Sequence, residues 1–446
     1  MNPLQKILRL HWLCFITMLG MCVAGYYFIK SATHLSDMPD LMNAARQQLT
    51  WLCIGSGVFL VLALTDYKWI LRLAPLIYAG MIFILLTVLL FGTEVNGAKS
   101  WIRFAGINIQ PAEFSKIAFI IGLAWFLQQL QSQIKRFWVI LVIPLTMLVP
   151  MALILRQPDL GSAAVFMPIT FVMMFVAGVR KRYLAIPVLG ALAGIWFAFY
   201  VVHQAQWNGT FQDFPRSVKE GLALSLPGSH STPIPEETPT PDALESSPLN
   251  KPQPKLQAAL SLQKVEENQT VILKLYQLNR IRTFFNPDLD PLGAGWTIRQ
   301  SLIAVGSGGF KGKGYLKGDQ NVYGFLPKNI AYNDFIFSVI AEEWGFVGGS
   351  LLILAHGLLI LCMISIASRA KEIGGSLLAA GLIGMFFAHF FVNIGMTIKV
   401  VPITGIPLPL TSYGGSFLVA CLAGLGILQS IWIHKRDYQS RTTYQR

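Results

Sequence analysis

The sequence carries little charge for its length. Only 13% of its 446 residues are Asp, Glu, Lys or Arg, whereas an average soluble domain has about 25%. Hydrophobic residues make up 54% of the chain and are concentrated in long runs. This composition excludes a water-soluble enzyme and a disordered protein, because neither contains so much uninterrupted apolar sequence.

Cysteine is scarce as well, and its placement excludes two further classes. None of the cysteines has the Cys-x-x-Cys spacing of a metal site, and none is placed to form a disulfide outside a membrane. The chain also lacks the P-loop, Gly-x-Ser-x-Gly and His-Glu-x-x-His patterns, which argues against nucleotide hydrolysis. The five cysteines all lie within apolar runs: Cys14, Cys22, Cys53, Cys362 and Cys421.

The net charge of +13 does not indicate a nucleic-acid partner. The lysines and arginines occur in small groups between apolar runs, and they form no basic face interleaved with aromatic residues. We therefore expect no nucleic acid among the partners of this protein.

The apolar runs predict the fold class. A helix needs about 20 apolar residues to cross a bilayer, and ten segments approach or reach that length. We therefore predict an all-α integral membrane protein with about ten transmembrane helices. The predicted segments are 11–30, 50–66, 73–92, 113–130, 137–155, 161–179, 184–203, 335–366, 374–398 and 413–433.

Basic residues recur at every second connection between these segments. Because positive residues mark the cytoplasmic side of a membrane protein, we predict that both termini are cytoplasmic, including a tail at 434–446. The basic groups are Lys6 with Arg9, Lys68 with Arg72, Lys135 with Arg136, 180–182, Arg369 with Lys371, and Lys435 with Arg436.

One long connection separates spans 1–7 (1–203) from spans 8–10 (335–433), and we predict that it is extracytoplasmic. Its first part, 204–270, has eight prolines from Pro227 to Pro254 and no apolar periodicity, which predicts a flexible insertion. Its second part, 271–334, has apolar stretches broken by glycine, which predict short surface helices.

Ionisable residues at membrane depth are costly, so each is a functional candidate. Glu113 and Lys116 are three residues apart and share a helical face, where they can form either a structural ion pair or part of a site. Arg156 and Asp159 lie between spans five and six, where a loop-fixing ion pair is the alternative interpretation.

Further ionisable residues lie near the later spans. Lys399 precedes a segment at 402–415 whose Gly and Pro content predicts a non-helical stretch packed against protein or lining a cavity. Glu342 and Glu343 are interpreted as structural. Asp334 directly precedes an apolar run, and we favour a functional role over capping of the eighth helix. Cations at this side would suit a lipid-linked pyrophosphate.

Six ordered motifs carry a family resemblance over nearly the whole chain except about 204–270. They resemble the SEDS family (shape, elongation, division and sporulation), and the stretch from Arg282 to Asp290 is most similar to its RodA branch. The motifs begin at Gln110, Arg156, Asp290, Ser301, Asp334 and Pro402.

The resemblance implies a ten-span peptidoglycan glycosyltransferase of the bacterial cytoplasmic membrane that polymerises lipid II for cell elongation and rod shape. It also implies a class B penicillin-binding protein as transpeptidase partner, other elongation-complex membrane proteins, and a divalent cation, Mg²⁺ or Mn²⁺. Asp334 matches the essential catalytic aspartate of the family. The chain departs from the family at Tyr332 and Asn333, where His-Thr is usual.

On this interpretation the acceptor hydroxyl attacks the donor sugar, with inversion, and undecaprenyl pyrophosphate leaves. Asp334 would be the general base or a metal ligand. Lys116, Lys399 and Arg156 would bind the pyrophosphate, with Glu113 and Asp159 also in the substrate site. A lipid-precursor flippase or transporter and a non-catalytic scaffold of the wall-synthesis complex remain as alternatives.

Overall fold

The structure, a computed structural model, describes residues 3–34, 39–95, 98–104, 107–185 and 275–435. This part of the chain is mostly helical, and eight of its helices are long and apolar enough to cross a membrane. Those eight are α2 (Trp12–Thr33), α4 (Ala44–Leu64), α6 (Ala74–Phe91), α8 (Phe137–Arg156), α9 (Leu160–Ala177), α14 (Ile336–Ser368), α15 (Ile373–Thr397) and α16 (Gly415–His434). Further helices are α1 (Pro3–Leu8), α3 (Pro39–Met42), α5 (Tyr67–Arg72), α7 (Pro111–Gln129), α10 (Leu275–Phe285), α11 (Ala294–Ser307), α12 (Asp319–Val322) and α13 (Lys328–Ala331).

The helices confirm the predicted class of a helical membrane protein. The fourth predicted segment is α7, which is not among the eight because charged and amide side chains lower its apolar content. The seventh, 184–203, lies outside the described residues except for its first two, and the insertion at 204–270 lies wholly outside them. The count of ten spans, the domain boundaries and the orientation of the termini therefore stay predictions.

Two helices form the centre of the described bundle. In α16, 89% of the most apolar stretch is buried, and in α15 72% is buried, against 22% in α6. The two central helices bury polar side chains, such as His389 and Gln429, whereas the exposed apolar side chains of α6, such as Phe83 and Leu90, suit contact with lipid. The central position of α15 matters for the site, because its buried polar residues reach several neighbouring elements.

A small sheet departs from the all-α prediction. The strands β1 (Thr93–Val95), β2 (Ala98–Phe104) and β3 (Ile107–Ile109) pair antiparallel in the order β1-β2-β3. The hydroxyl of Ser100 donates a hydrogen bond to the carbonyl of Gln157 (2.8 Å), which fixes the sheet to the end of α8. Strands of three to seven residues do not stand out beside apolar runs of about 20, so the sheet was missed.

The long helix α14 is interrupted near its start. Gly345 has φ 64°, and a side chain there would collide with the backbone nitrogen of Gly312. The loop after α11 inserts at this point, where the Phe346 N–H donates to the Gly309 carbonyl (2.8 Å). The predicted segment 335–366 is long because it contains two helical pieces. They are joined at a glycine because only glycine adopts this φ readily.

The connection between α15 and α16 is non-helical, as its Gly and Pro content predicts. It is held by neighbouring helices through its carbonyl groups: the side-chain amide of Gln48 on α4 donates to Ser412 (3.3 Å), and His356 on α14 lies 3.2 Å from the carbonyl oxygen of Pro409. The segment 403–408 within this connection passes beside Asp334.

Candidate active site

Asp334 lies between α13 and α14, with its backbone fixed and its carboxylate free. The side-chain amide of Asn393 on α15 donates to the backbone carbonyl of Asp334 (2.9 Å). Its Oδ1 is buried and has no hydrogen-bond partner among the described residues. The residue that caps α14 is Phe335, without a side-chain capping bond, so the alternative that Asp334 caps this helix is wrong.

Arg280, on α10, comes close to Gly405, as the Asp334 carboxylate does. A β-carbon built on Gly405 would be 3.3 Å from Asp334 Oδ2 and 3.4 Å from Arg280 Nη1. The guanidinium also donates to the carbonyl of Ile403 (3.4 Å). Gly405 has φ 73°, and any side chain there would contact both the carboxylate and the guanidinium.

The surroundings favour the neutral form of this carboxyl group. Burial raises the pKa of Asp334 from 3.8 to about 6; the charge of Arg280 opposes that rise, and the charge of Asp159 adds to it. A carboxyl group with a pKa near neutrality can take and return a proton under physiological conditions, which a general base must do.

Several other buried acceptors around Asp334 have no partner among the described residues. They are the side-chain oxygens of Asn333, Asn393 and Thr404. Oxygens of this kind accept from sugar hydroxyls, and they are ligands that Mg²⁺ or Mn²⁺ prefers. The described residues contain no cluster of three His, Cys, Asp or Glu that could hold a metal alone. Binding of Mg²⁺ or Mn²⁺ here therefore stays a prediction.

Glu113 and Lys116 form the ion pair that their spacing predicts. Lys116 Nζ donates to Glu113 Oε2 (2.8 Å), and the two side chains are 0% and 4% exposed. Lys116 Nζ also lies 3.0 Å from His389 Nε2, a partner that the sequence did not reveal because it is 273 residues away. Glu113 accepts a second bond from the hydroxyl of Ser162 (3.3 Å). Binding of pyrophosphate by Lys116 stays a prediction.

Asp159 and Arg156 do not form the loop-fixing ion pair that the sequence left open. Asp159 caps α9 by accepting from the Ser162 N–H (2.9 Å), and its other oxygen accepts from the Gln110 amide (3.0 Å). Arg156 is exposed at the end of α8, and Lys399 is half-buried after α15. The described residues show no ion pair with either cation, so their role in substrate binding stays a prediction.

Glu342 and Glu343 belong to a separate cluster with the loop 313–321. Glu342 Oε1 accepts from Lys313 (2.7 Å) and from the Gln320 N–H (3.1 Å). Glu343 Oε1 accepts from the hydroxyl of Ser31 on α2 (2.5 Å). These bonds tie the loop to α14 and α2, which agrees with the structural role predicted for both glutamates.

Two residues of the site, Arg280 and His389, were not identified from the sequence. Arg280 stands in a loop with several other cations, and the sequence alone does not indicate which one faces the carboxylate. His389 has no paired spacing with another metal ligand or base, so it gave no signal of a site. Both become visible only through contacts between elements far apart in the chain.

Comparison with known proteins gives consistent matches. Residues 8–224 and 257–437 match the family model for the cell cycle proteins FtsW, RodA and SpoVE. The chain is 40% identical to the peptidoglycan glycosyltransferase RodA of Treponema pallidum, over 94% of this chain and 96% of that protein. It is 31% identical to the peptidoglycan glycosyltransferase MrdB of Escherichia coli K12, over 81% and 78%. A solved structure described as a peptidoglycan synthase complex that coordinates polymerization and crosslinking is 25% identical, with TM-score 0.65, over 96% and 98%.

Proposed function

The chain belongs to the FtsW/RodA/SpoVE family of cell cycle proteins, and from that premise we propose that it is a peptidoglycan glycosyltransferase that polymerises lipid II. The observation that carries this proposal is the carboxylate of Asp334, whose Oδ1 is buried without a hydrogen-bond partner among the described residues and which lies near the charge of Arg280. A base and a cation beside the same glycine are suited to group transfer from a pyrophosphate.

In the proposed reaction, Asp334 takes the proton of the acceptor sugar's hydroxyl as this oxygen attacks the anomeric carbon of the donor. The bond from that carbon to undecaprenyl pyrophosphate breaks, and the pyrophosphate leaves with the electron pair. Proton transfer of this kind requires an approach of about 3 Å and contributes about 10²–10⁴-fold to the rate. Arg280 supplies positive charge near the base, and its guanidinium can donate to two pyrophosphate oxygens in bidentate fashion.

In the alternative role of Asp334, its carboxylate would hold a divalent cation together with the side-chain oxygens of Asn333 and Thr404, instead of acting as the base. Such a cation, when bound, supplies charge stabilisation for the pyrophosphate. The protein residues orient the acceptor hydroxyl and carry its proton.

The same relatives support a proposal for the membrane and the partner of this protein. Its apolar helices make it an integral membrane protein, and we place it in the bacterial cytoplasmic membrane with Asp334 on the outer side. The solved relative is part of a complex that couples polymerization to crosslinking. We therefore propose a class B penicillin-binding protein as the partner of this chain.

The test is polymerisation by purified protein together with its cognate transpeptidase. Labelled lipid II is incubated with Mg²⁺ or Mn²⁺, and the glycan products of wild type, Asp334→Ala and Asp288→Asn are separated on a gel. Asp288 is a matched control, because it is a largely exposed carboxylate of the same connection that pairs only with Arg299 among the described residues.

Polymer from wild type and Asp288→Asn, with none from Asp334→Ala, would support both the reaction and the residue. Polymer from Asp334→Ala would remove Asp334 from the mechanism and leave the enzyme. A folded wild-type complex that makes no polymer would contradict the proposal and favour a flippase or a scaffold.

A further inference from the structure

Two buried polar residues of α15 connect the parts of the candidate site. His389 and Asn393 are four residues apart, so they lie on one face of the helix, and both are 0% exposed. A buried polar side chain is costly unless it forms hydrogen bonds, and each of these two reaches two other elements.

The contacts of His389 define its protonation state. Its Nδ1 lies 3.1 Å from the carbonyl oxygen of Pro407, and a carbonyl only accepts, so Nδ1 carries the proton. Its Nε2 therefore accepts from Lys116 Nζ (3.0 Å). The ring stacks on Phe417 with centroids 4.4 Å apart, which fixes its plane. His389 is thus a neutral link between the Lys116 ammonium and the segment 403–408.

Asn393 provides the second link. Its side-chain amide donates one proton to the Asp334 carbonyl (2.9 Å) and the other to the Ile406 carbonyl (2.7 Å). Ile406 directly precedes Pro407, so the two α15 residues hold adjacent carbonyls. With Arg280 on the carbonyl of Ile403 (3.4 Å), three side chains hold this segment by its backbone.

The segment held in this way carries Gly405, where a β-carbon would contact both Asp334 Oδ2 and Arg280 Nη1. A shift of the segment by a fraction of an ångström would change the gap in which the transfer takes place, and such misplacement lowers the rate of a reaction that depends on orientation. Neither His389 nor Asn393 needs to touch substrate to have this effect.

We propose that His389 and Asn393 are positioning residues: they fix the segment 403–408 between the buried Lys116–Glu113 pair and Asp334, and thereby set the gap between Asp334 and Arg280. This inference rests on the proposed glycosyl transfer. It predicts that loss of the pair lowers kcat for lipid II polymerisation, with little change in KM.

The variants separate this role from packing alone. His389→Phe keeps an aromatic ring against Phe417 and loses both hydrogen bonds, whereas His389→Gln keeps an acceptor for Lys116. Asn393→Asp keeps the shape and replaces the donating amide by a group that repels both carbonyls. His356→Phe is the matched control: His356 is a buried histidine stacked on Phe390 (5.0 Å) and bonded to Pro409, without a contact to Lys116 or Asp334.

All variants are measured as full chain with the transpeptidase, by lipid II titration and by hydrogen–deuterium exchange of the amides in 403–408. We expect His389→Phe and Asn393→Asp to lower kcat about tenfold or more with KM within about twofold, and to speed exchange in this segment. His389→Gln should stay within about threefold of wild-type kcat, and His356→Phe should keep wild-type kcat and exchange.

Wild-type kcat or unchanged exchange in both His389→Phe and Asn393→Asp would overturn the positioning role. An equal loss of kcat in His356→Phe would overturn it too, because packing would then explain the effect. If wild type makes no polymer, the proposed function fails, and the exchange data still decide whether the pair holds the segment.

Discussion

Asp334 and Glu342 are carboxylates eight residues apart in the chain, at the start of the same long helix, and their surroundings differ. Glu342 accepts from Lys313 (2.7 Å) and from the Gln320 N–H (3.1 Å), and Lys313 in turn pairs with Asp319 (2.9 Å). No described donor contacts the carboxylate of Asp334, whose Oδ1 is buried without a partner, whereas in Glu342 only Oε2 lacks one. Glu342 thus joins the loop 313–321 to α14, whereas the carboxylate of Asp334 stays available for a reaction.

The pKa shifts of Lys313 and Asp334 also differ between the two surroundings. Burial lowers the pKa of Lys313, but its hydrogen bonds to Glu342 and Asp319 outweigh burial and raise that pKa overall. Burial raises the pKa of Asp334, and the charge of Arg280 opposes this rise only in part. A protein tolerates an unsatisfied buried carboxylate at a cost in stability, and such costs concentrate at functional sites.

The largest expected difference between the two is in activity. Asp334→Asn keeps the shape of the side chain and removes its basicity, so we expect polymerisation to fall by about 10²–10⁴-fold. Glu342→Gln lies outside the gap and should leave the rate per folded molecule within about threefold of wild type. Initial rates with labelled lipid II, normalised to the folded fraction, make the comparison. A similar loss of rate in both variants would contradict the assignment of a catalytic role to Asp334 and a structural role to Glu342.

Loss of the cation that pairs with Glu342 should lower the stability of the protein, although it should not lower the rate per folded molecule. Lys313→Met leaves Glu342 buried without its cation, and breaking a buried pair costs about 3–5 kcal/mol. Because the Lys313 side chain is 24% exposed, we expect a loss of about 3 kcal/mol or less in the free energy of unfolding. Denaturant unfolding in detergent measures this loss. The double variant Lys313→Met with Glu342→Leu should recover most of the loss, because no uncompensated charge is then buried.

The pH dependence of stability sharpens the contrast further. The folded pKa of Asp334, about 6, is above its ordinary 3.8. The stability contributed by the neutral carboxyl group is therefore complete below pH 3.8 and is lost as pH rises through 6. Ionisation then costs at most about 3 kcal/mol. Asp334→Asn should therefore be more stable than wild type at pH 8 and equal to it near pH 4.

Thermal unfolding of both proteins at the two pH values tests this expectation. Equal stabilities at pH 8 would mean that the folded protein does not disfavour the charged carboxylate. Polymerisation by wild type should rise with pH through about 6, because the general base acts only when ionised.

The sequence predicted the membrane helices and one contact of the site, but not the contacts between residues far apart in the chain. Long apolar runs predicted the membrane helices, and the spacing of Glu113 and Lys116 predicted their ion pair, because both signals are local in the chain. The contact of Lys116 with His389 joins residues 273 apart, so no periodicity encodes it. Asp334 was singled out by its position before an apolar run and then by resemblance, and the difference between it and Glu342 came only from the donors that surround each.

The orientation of Arg280 shows the same limit. Several cations of the chain were plausible partners for a pyrophosphate, and a single sequence ranks them by position alone. The path of 403–408 brings Arg280 close to Asp334, because its Ile403 carbonyl accepts from Arg280 (3.4 Å) beside the glycine that borders Asp334. That path depends on the contacts that His389 and Asn393 of α15 make with Pro407 and Ile406.

The smallest predicted effect concerns Gly405, where the open gap depends on a missing side chain. Gly405→Ala places a methyl group 3.3 Å from Asp334 Oδ2 and 3.4 Å from Arg280 Nη1, at φ 73°. The backbone strain costs about 1–2 kcal/mol, and the methyl group narrows the gap, so we expect about a tenfold loss of polymerisation with a modest loss of stability. Gly309→Ala is the matched control, since Gly309 also has positive φ (57°) but borders open space away from Asp334. It should lose similar stability and keep its rate, and a similar loss of rate in both would show that strain, rather than the gap between Asp334 and Arg280, limits the reaction.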